Sequence, residues 1–180
     1  MRIAIFDGAE APGPMDAWVD AVERGLAAGG HAVRRLRLRD RTLAQCKGCF
    51  GCWVKTPGRC TIRDGTGELV RELLAADVLA IAPPTSMGMT TALSRRASER
   101  MLPILHPYFE LVGGEVHHRA RYGRRPRLAL LYGAEGCDPE DEELLVLLYR
   151  RLALNMRTTL AYAASTSRAP EEVCDALARA

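Results

Sequence analysis

Apolar residues in this chain alternate between short continuous runs and stretches where they recur every three or four positions. Residues 2–6 form one such run, closed by Asp7-Gly8, and predict a buried first strand. Pro12, Gly13 and Pro14 mark a loop. Met15, Trp18, Val19, Val22 and Leu26 then fall at helical spacing up to Gly29-Gly30, with Trp18 expected in the core. Residues 32–38 set Val33, Leu36 and Leu38 among arginines, the pattern of an edge strand with one wet face. Leu69, Val70, Leu73 and Leu74 outline a second helix, and residues 78–82 a second buried strand stopped by Pro83-Pro84. Leu93, Ala97 and Met101 outline a third helix that Pro103 ends or kinks. Another apolar strand follows at 128–132. Asp138 is a good N-cap, with Pro139 at the first helical position and acids behind it. That helix is expected to run through an inner stripe of Leu144, Leu148 and Leu152 to about Asn155. Residues 160–164 form the last strand, and Pro170-Glu171-Glu172 opens a terminal helix.

Strands alternating with helices five times predict an α/β three-layer sandwich around a five-stranded parallel sheet. In such a sheet the ligand crevice lies beyond the carboxyl ends of the strands. Three loops are expected there: residues 7–15, 83–91 and 133–138. The segment at 41–65 leaves the same edge as an insertion of loop character.

The length of 180 residues suits one domain with a real core, expected to span 1–180. A net charge of +3 is too small to indicate nucleic acid. No apolar run reaches membrane-spanning length, and the first residues read as a strand rather than an export signal. The expected location is therefore a reducing cytoplasm, which disfavours a disulfide framework.

Four of the six cysteines, Cys46, Cys49, Cys52 and Cys60, fall in a C-x2-C-x2-C-x7-C pattern. Glycines between them let the backbone turn several sulfurs toward one point. A metal or cluster, a disulfide pair and plain reduced thiols are all compatible with that spacing. The segment from His117 to Arg127 is the most basic part of the chain. It suits either a clamp for a dinucleotide phosphate or acidic partner, or a solvated connection. Cys137 lies beside the third crevice loop and reads as an incidental or a reactive thiol. Trp53 and Phe50 read as shields for a cofactor or as anchors at an oligomer seam. No nucleophile elbow or Walker loop is present.

The run from Cys46 to Trp53, with Thr56-Pro57-Gly58-Arg59-Cys60 and Asp64, resembles flavodoxin-like NAD(P)H-dependent FMN reductases and their iron–sulfur flavoprotein branch. The similarity continues through Glu99-Arg100, residues 103–108 and His117-His118-Arg119-Ala120-Arg121-Tyr122. It implies a flavodoxin-like fold, FMN at the strand ends, NAD(P)H as electron donor, and a [4Fe-4S] cluster on the four cysteines. The family's hydroxyl-rich phosphate loop with its arginine is replaced by Asp7-Gly8-Ala9-Glu10-Ala11-Pro12-Gly13-Pro14. Two prolines remove N–H donors and Glu10 repels an anion, so a weaker phosphate grip is expected.

The expected function is an FMN-dependent oxidoreductase or electron-transfer flavoprotein with a small-molecule or protein redox partner. The FMN contacts expected are Gly8, Ala9, Gly13 and Met15 in the first loop, Pro84, Thr85, Ser86, Met87 and Gly88 in the second, and Gly133 and Ala134 in the third. No catalytic side chain is required, because the cofactor carries the redox chemistry. A homo-oligomer, dimer or tetramer, is expected, with no nucleic acid or membrane partner. The competing reading is a non-catalytic binding protein on the same scaffold, with a decayed flavin site and the cysteines as a metal or interaction element.

Overall fold

In the computed structural model, which describes residues 1–179, five parallel strands form one sheet in the order β2-β1-β3-β8-β9. The strands are β1 (Arg2–Asp7), β2 (Ala32–Arg37), β3 (Val78–Ala82), β8 (Arg127–Tyr132) and β9 (Leu160–Ser165). Residues 78–82 are buried on both faces, as a continuous Val/Leu/Ala/Ile run requires of a central strand. The helices are α1 (Pro14–Ala28), the single turn α2 (Gly51–Val54), α3 (Thr66–Ala75), α4 (Ala92–Glu99), α5 (Pro139–Asn155) and α6 (Pro170–Arg179). Val19, Val22 and Leu26 of α1 and Val173 and Leu177 of α6 cover one face of the sheet. Helices α3, α4 and α5 cover the other, through Leu69, Leu73, Ala97, Leu145 and Tyr149. The expected flavodoxin-like sandwich is observed. Its switch point lies between β1 and β3, where the winding reverses.

Four expectations need correction. The inner stripe of α5 is Leu145, Tyr149 and Ala153, one position beyond the expected Leu144, Leu148 and Leu152; Leu144 and Leu148 are exposed. So many leucines stand in this helix that apolarity alone leaves its rotation open. Arg35 of β2 is not solvated: it is buried because carboxylates of α1 pack over it, while Arg34 and Arg37 keep substantial exposure. Trp18 is half-buried at the core's margin and donates Nε1–H to the Arg168 carbonyl at 2.9 Å. Helix α4 stops at Glu99, and Pro103 lies beyond it in a 3-10 turn.

Two elements were not expected. Residues 85–90 close into a small hairpin, β4 (Thr85–Ser86) with β5 (Met89–Thr90), turned by Met87 and Gly88 at positive φ. Strands β6 (Leu105–Val112) and β7 (Glu115–Ala120) form an antiparallel ribbon turned by Gly113 and Gly114, also at positive φ. Its polar face is turned inward. Glu110 pairs with Arg157 at 2.9 Å, and buried His117 bonds Asn155 at 3.0 Å. The opposite face carries Phe109, Leu111 and Val116, exposed by 60 %, 76 % and 65 %. Strand β7 thus replaces the solvated connection that the basic run suggested.

Candidate functional site: the crevice and the cysteine segment

The three predicted loops meet at the carboxyl ends of β1, β3 and β8. Gly8 N donates to the Ala82 carbonyl at 2.9 Å, and Gly133 N to the Pro83 carbonyl at 3.0 Å. Thr85 Oγ1 donates to the Gly133 carbonyl at 2.5 Å and reaches that of Glu135 at 3.3 Å, tying the second loop to the third. Gly133 sits where a Cβ would come within 3.5 Å of Pro84 Cα and 3.8 Å of Met15 Sδ. All three loops therefore come within van der Waals reach of this position. Met87 is 95 % exposed at the tip of the second loop. Gly8, Ala9, Gly13, Pro84–Gly88, Gly133 and Ala134 belong to these three segments, while Met15 lies in the first turn of α1.

The first loop is built over a charge network that the sequence did not reveal. Arg35 donates to Asp7 Oδ2 through Nε (3.1 Å) and Nη2 (2.8 Å), and to Asp16 Oδ1 at 2.7 Å; it also pairs with Asp20. Arg39 donates to Asp16 Oδ1 at 2.7 Å and to the Ala9 carbonyl at 3.3 Å. Burial raises the pKa of fully buried Asp7, while the Ala9 N–H and Arg35 pull the other way. The consequence for an anion is plain. The N–H groups of Gly8 and Ala9 are spent on Ala82 and on Asp7 (2.9 Å), and both arginines are neutralised by carboxylates. Asp16 also occupies the first turn of α1, where a phosphate would seek the helix's positive end. The backbone stage for a flavin ring therefore fits, and the phosphate side fits poorly.

The cysteine segment is closed at its base by one carboxylate. Asp64 Oδ2 accepts from Ala44 N at 2.9 Å and Oδ1 from Thr66 N at 3.0 Å, and Gly65 N donates to the Thr42 carbonyl at 3.0 Å. Both ends of the insertion are so joined. Arg100, itself buried, donates to both Asp64 oxygens (2.9 and 2.8 Å) and to Thr66 Oγ1 at 2.7 Å. Burial raises the Asp64 pKa, but the bonds from Thr66, Ala44 and Arg100 outweigh it and hold the carboxyl at about 2. Arg100 also lines one small cavity with Cys60.

Cys46, Cys49, Cys52 and Cys60 line one small cavity of about 20 Å³, together with Phe50 and Arg100. All six cysteines are free thiols. Gly48 and Phe50 take the left-handed conformation that turns the chain between the first sulfurs. A Cβ at Gly51 would lie 2.5 Å from Thr61 Cγ2, so glycine lets the two arms close. Cys49 is exposed, and the Gly51 N–H and Thr61 hydroxyl lower its pKa; burial, with the neighbouring thiols, raises that of Cys52. Cys60 Sγ accepts from Ile62 N at 3.4 Å. Although the four share a cavity, no group of three or more His, Cys, Asp or Glu among the described residues is arranged to hold a metal ion. Cys49 and Cys60 are engaged by backbone or hydroxyl neighbours instead. Cys137 lies away from this cavity, in the third crevice loop.

Beside the cysteines runs a row of rings: Phe50 stacks on Trp53 (centroids 5.1 Å apart), Trp53 meets His118 (4.7 Å), and His118 meets Phe109 (4.7 Å). Trp53 Nε1 and His118 Nδ1 are buried with no hydrogen-bond partner. The basic run is not one clamp. His117 and His118 face opposite sides of the ribbon, Arg121 serves the carbonyls of Pro103 and Leu105, and Arg124 pairs with Asp77.

Comparison with known proteins adds the following. The NAD(P)H:quinone oxidoreductase of Methanothermobacter marburgensis superposes with a TM-score of 0.64 over 99 % of this chain and 94 % of its own, at 15 % identity. An FMN-dependent NADH-azoreductase of Bacillus anthracis, solved with FMN, gives 0.61 over 99 % and 94 %, at 11 % identity. The fold is flavodoxin-like. At these identities the likeness establishes the architecture. An iron–sulfur flavoprotein of Archaeoglobus fulgidus is 28 % identical over 71 residues, 39 % of this chain. The matched stretch spans about a third of that relative's length (34 %). No family model matches the chain. Among the described residues no helix is long and apolar enough to cross a membrane.

Proposed function

We propose that the chain is an FMN-dependent oxidoreductase that takes electrons from a nicotinamide donor and delivers them to a small-molecule or protein acceptor in a reducing cytoplasm. The observation that carries this reading is α4, which joins the two candidate centres. Its Ser94 packs against Gly8 at the crevice, and Arg100, just past its end, lines the cysteine cavity together with Cys60. Those residues are six apart, about 9 Å along a helix axis. Arg96 of the same helix donates to the Leu43 carbonyl at 3.1 Å, fixing the start of the cysteine segment. FMN, when bound, supplies hydride acceptance from the nicotinamide and one-electron transfer onward. The chain's part is to hold the ring on the backbone of residues 84–88 and 133–134 and to exclude water beneath it.

The four cysteines are proposed as ligands of a [4Fe-4S] cluster. Shared lining of one cavity, the partnerless Trp53 N–H beside it and the curated relative support this. Thiolates would have to give up their present hydrogen bonds to converge. Anaerobic reconstitution tests both centres. Flavin bands and four irons per chain are expected, the iron lost in Cys49→Ser and kept in Cys174→Ser. Neither flavin nor metal after reconstitution would leave the second reading. In that reading the protein binds without catalysis on a decayed flavin site, and the spent N–H groups of Gly8 and Ala9 favour it.

A homo-oligomer is proposed on the outward face of the ribbon. Phe50, Val54, Phe109, Leu111 and Val116 are all more than half exposed and supply apolar surface for it. Two such patches related by a two-fold axis bury apolar surface on both sides without needing a second chemistry. Sedimentation velocity should show a dimer or larger, and Leu111→Lys should shift it to monomer with the melting temperature unchanged.

A further inference from the structure

A cavity of about 760 Å³ lies on the far side of Cys60, between the cysteine segment and α3. Its volume falls within the range of small-molecule sites. Ile62, Val70 and Leu74 give it an apolar wall, and Tyr122 contributes a ring. Arg59, Arg63 and Arg71 line it as well, and none of the three has an ion-pair partner among the described residues. The single carboxylate of the lining, Asp64, is held by Arg100 at 2.8 Å and so offers these arginines no compensation. An apolar slot rimmed by three exposed guanidinium groups, of which only Arg71 has a carboxylate (Glu68) acting on it from its own helix, is complementary to a ligand that is hydrophobic in its body and anionic at its edge.

We infer that this cavity binds a small aromatic acid, a ring-sized apolar body bearing a carboxylate, sulfonate or phosphate. The ring lies against Val70, Leu74 and Tyr122, and the acid group meets the arginines. The site is separate from the flavin crevice and independent of whether FMN binds. Gly67 offers a way to close it. It lines the cavity in the first turn of α3, and a Cβ there would meet nothing within 4 Å. A larger side chain enters the open space, and replacing glycine favours the helix.

Isothermal titration of the full chain with naphthalene-2-sulfonate, neutral 2-naphthol and inorganic phosphate tests the inference. The sulfonate should bind once per chain, about tenfold or more tighter than either comparator, because charged hydrogen bonds and ring burial act together. Its affinity should fall as salt rises, fall several-fold in Arg63→Ala and in Arg71→Ala, and stay the same with FMN present. Gly67→Leu should abolish binding while leaving the melting temperature at or above that of the wild type. Equal binding of sulfonate and naphthol, phosphate binding as tightly as the sulfonate, or full binding by Gly67→Leu would each overturn it. If Gly67→Leu folds poorly, the two arginine variants decide: unchanged affinity in both refutes the site.

Discussion

The crevice loop and the cysteine segment are both irregular chain laid over a buried arginine, yet the two arginines are used differently. Arg35 is shared among Asp7, Asp16 and Asp20, with Glu23 at 3.5 Å, so its charge is more than neutralised where a phosphate would approach. Arg100 faces one carboxylate, Asp64, and lines the cavity that holds the Cys60 thiol. The first network supports a loop by exhausting its capacity for anions. The second closes an insertion and still presents positive charge to the thiols. A buried cation therefore marks an anion site only after its carboxylates have been counted.

The largest expected effect separates the two arginines directly. Arg100→Met leaves the buried Asp64 side chain without the cation that pairs with it and should cost about 3–5 kcal/mol in denaturant unfolding. It should also loosen residues 44–64 to proteolysis. Arg35→Met should cost less, about 3 kcal/mol, because Arg39, 3.7 Å from Asp7 Oδ2, can take over part of the pairing. Equal losses in both variants would erase the contrast.

Acid titration gives the next effect. The folded Asp64 pKa of about 2 lies below the unfolded value of about 3.9. Its contribution of about 2–3 kcal/mol is present above pH 4 and is lost as pH falls through about 2. Unfolding free energies at pH 5 and pH 2 should show that slope in the wild type and a flatter one in Asp64→Asn.

The smallest effect concerns the phosphate side of the crevice. With its loop amides spent and its arginines neutralised, the protein should prefer FMN over riboflavin by less than about tenfold. Glu10→Ser should tighten FMN a few-fold and leave riboflavin unchanged. A preference of several hundredfold would show that donors elsewhere grip the phosphate.

The central strands were legible in the sequence because they are buried on both faces, and β1, β3 and β8 accordingly appear as unbroken apolar runs. The start of α5 was legible too: its capping box is a local exchange between Asp138 and Asp141, needing nothing from elsewhere in the chain. The three crevice loops followed from strand order alone. The cysteine spacing determined that four thiols would be neighbours, and the glycines that the chain between them could turn.

What only the tertiary structure decided depends on partners distant in sequence. The rotation of α5 was open because six leucines can face the core in more than one register, and the sheet selects Leu145 and Tyr149. Arg35 reads as a wet-face residue until carboxylates 12 to 28 residues away are packed over it. The ribbon of β6 and β7 escaped the pattern because its polar face turns inward to Arg157 and Asn155, the reverse of what apolar alternation signals. Whether the four thiols aim at one point was likewise beyond their spacing. Bonds to Gly51, Thr61 and Ile62 hold Cys49 and Cys60, and those partners are placed by the closure of the segment over Asp64.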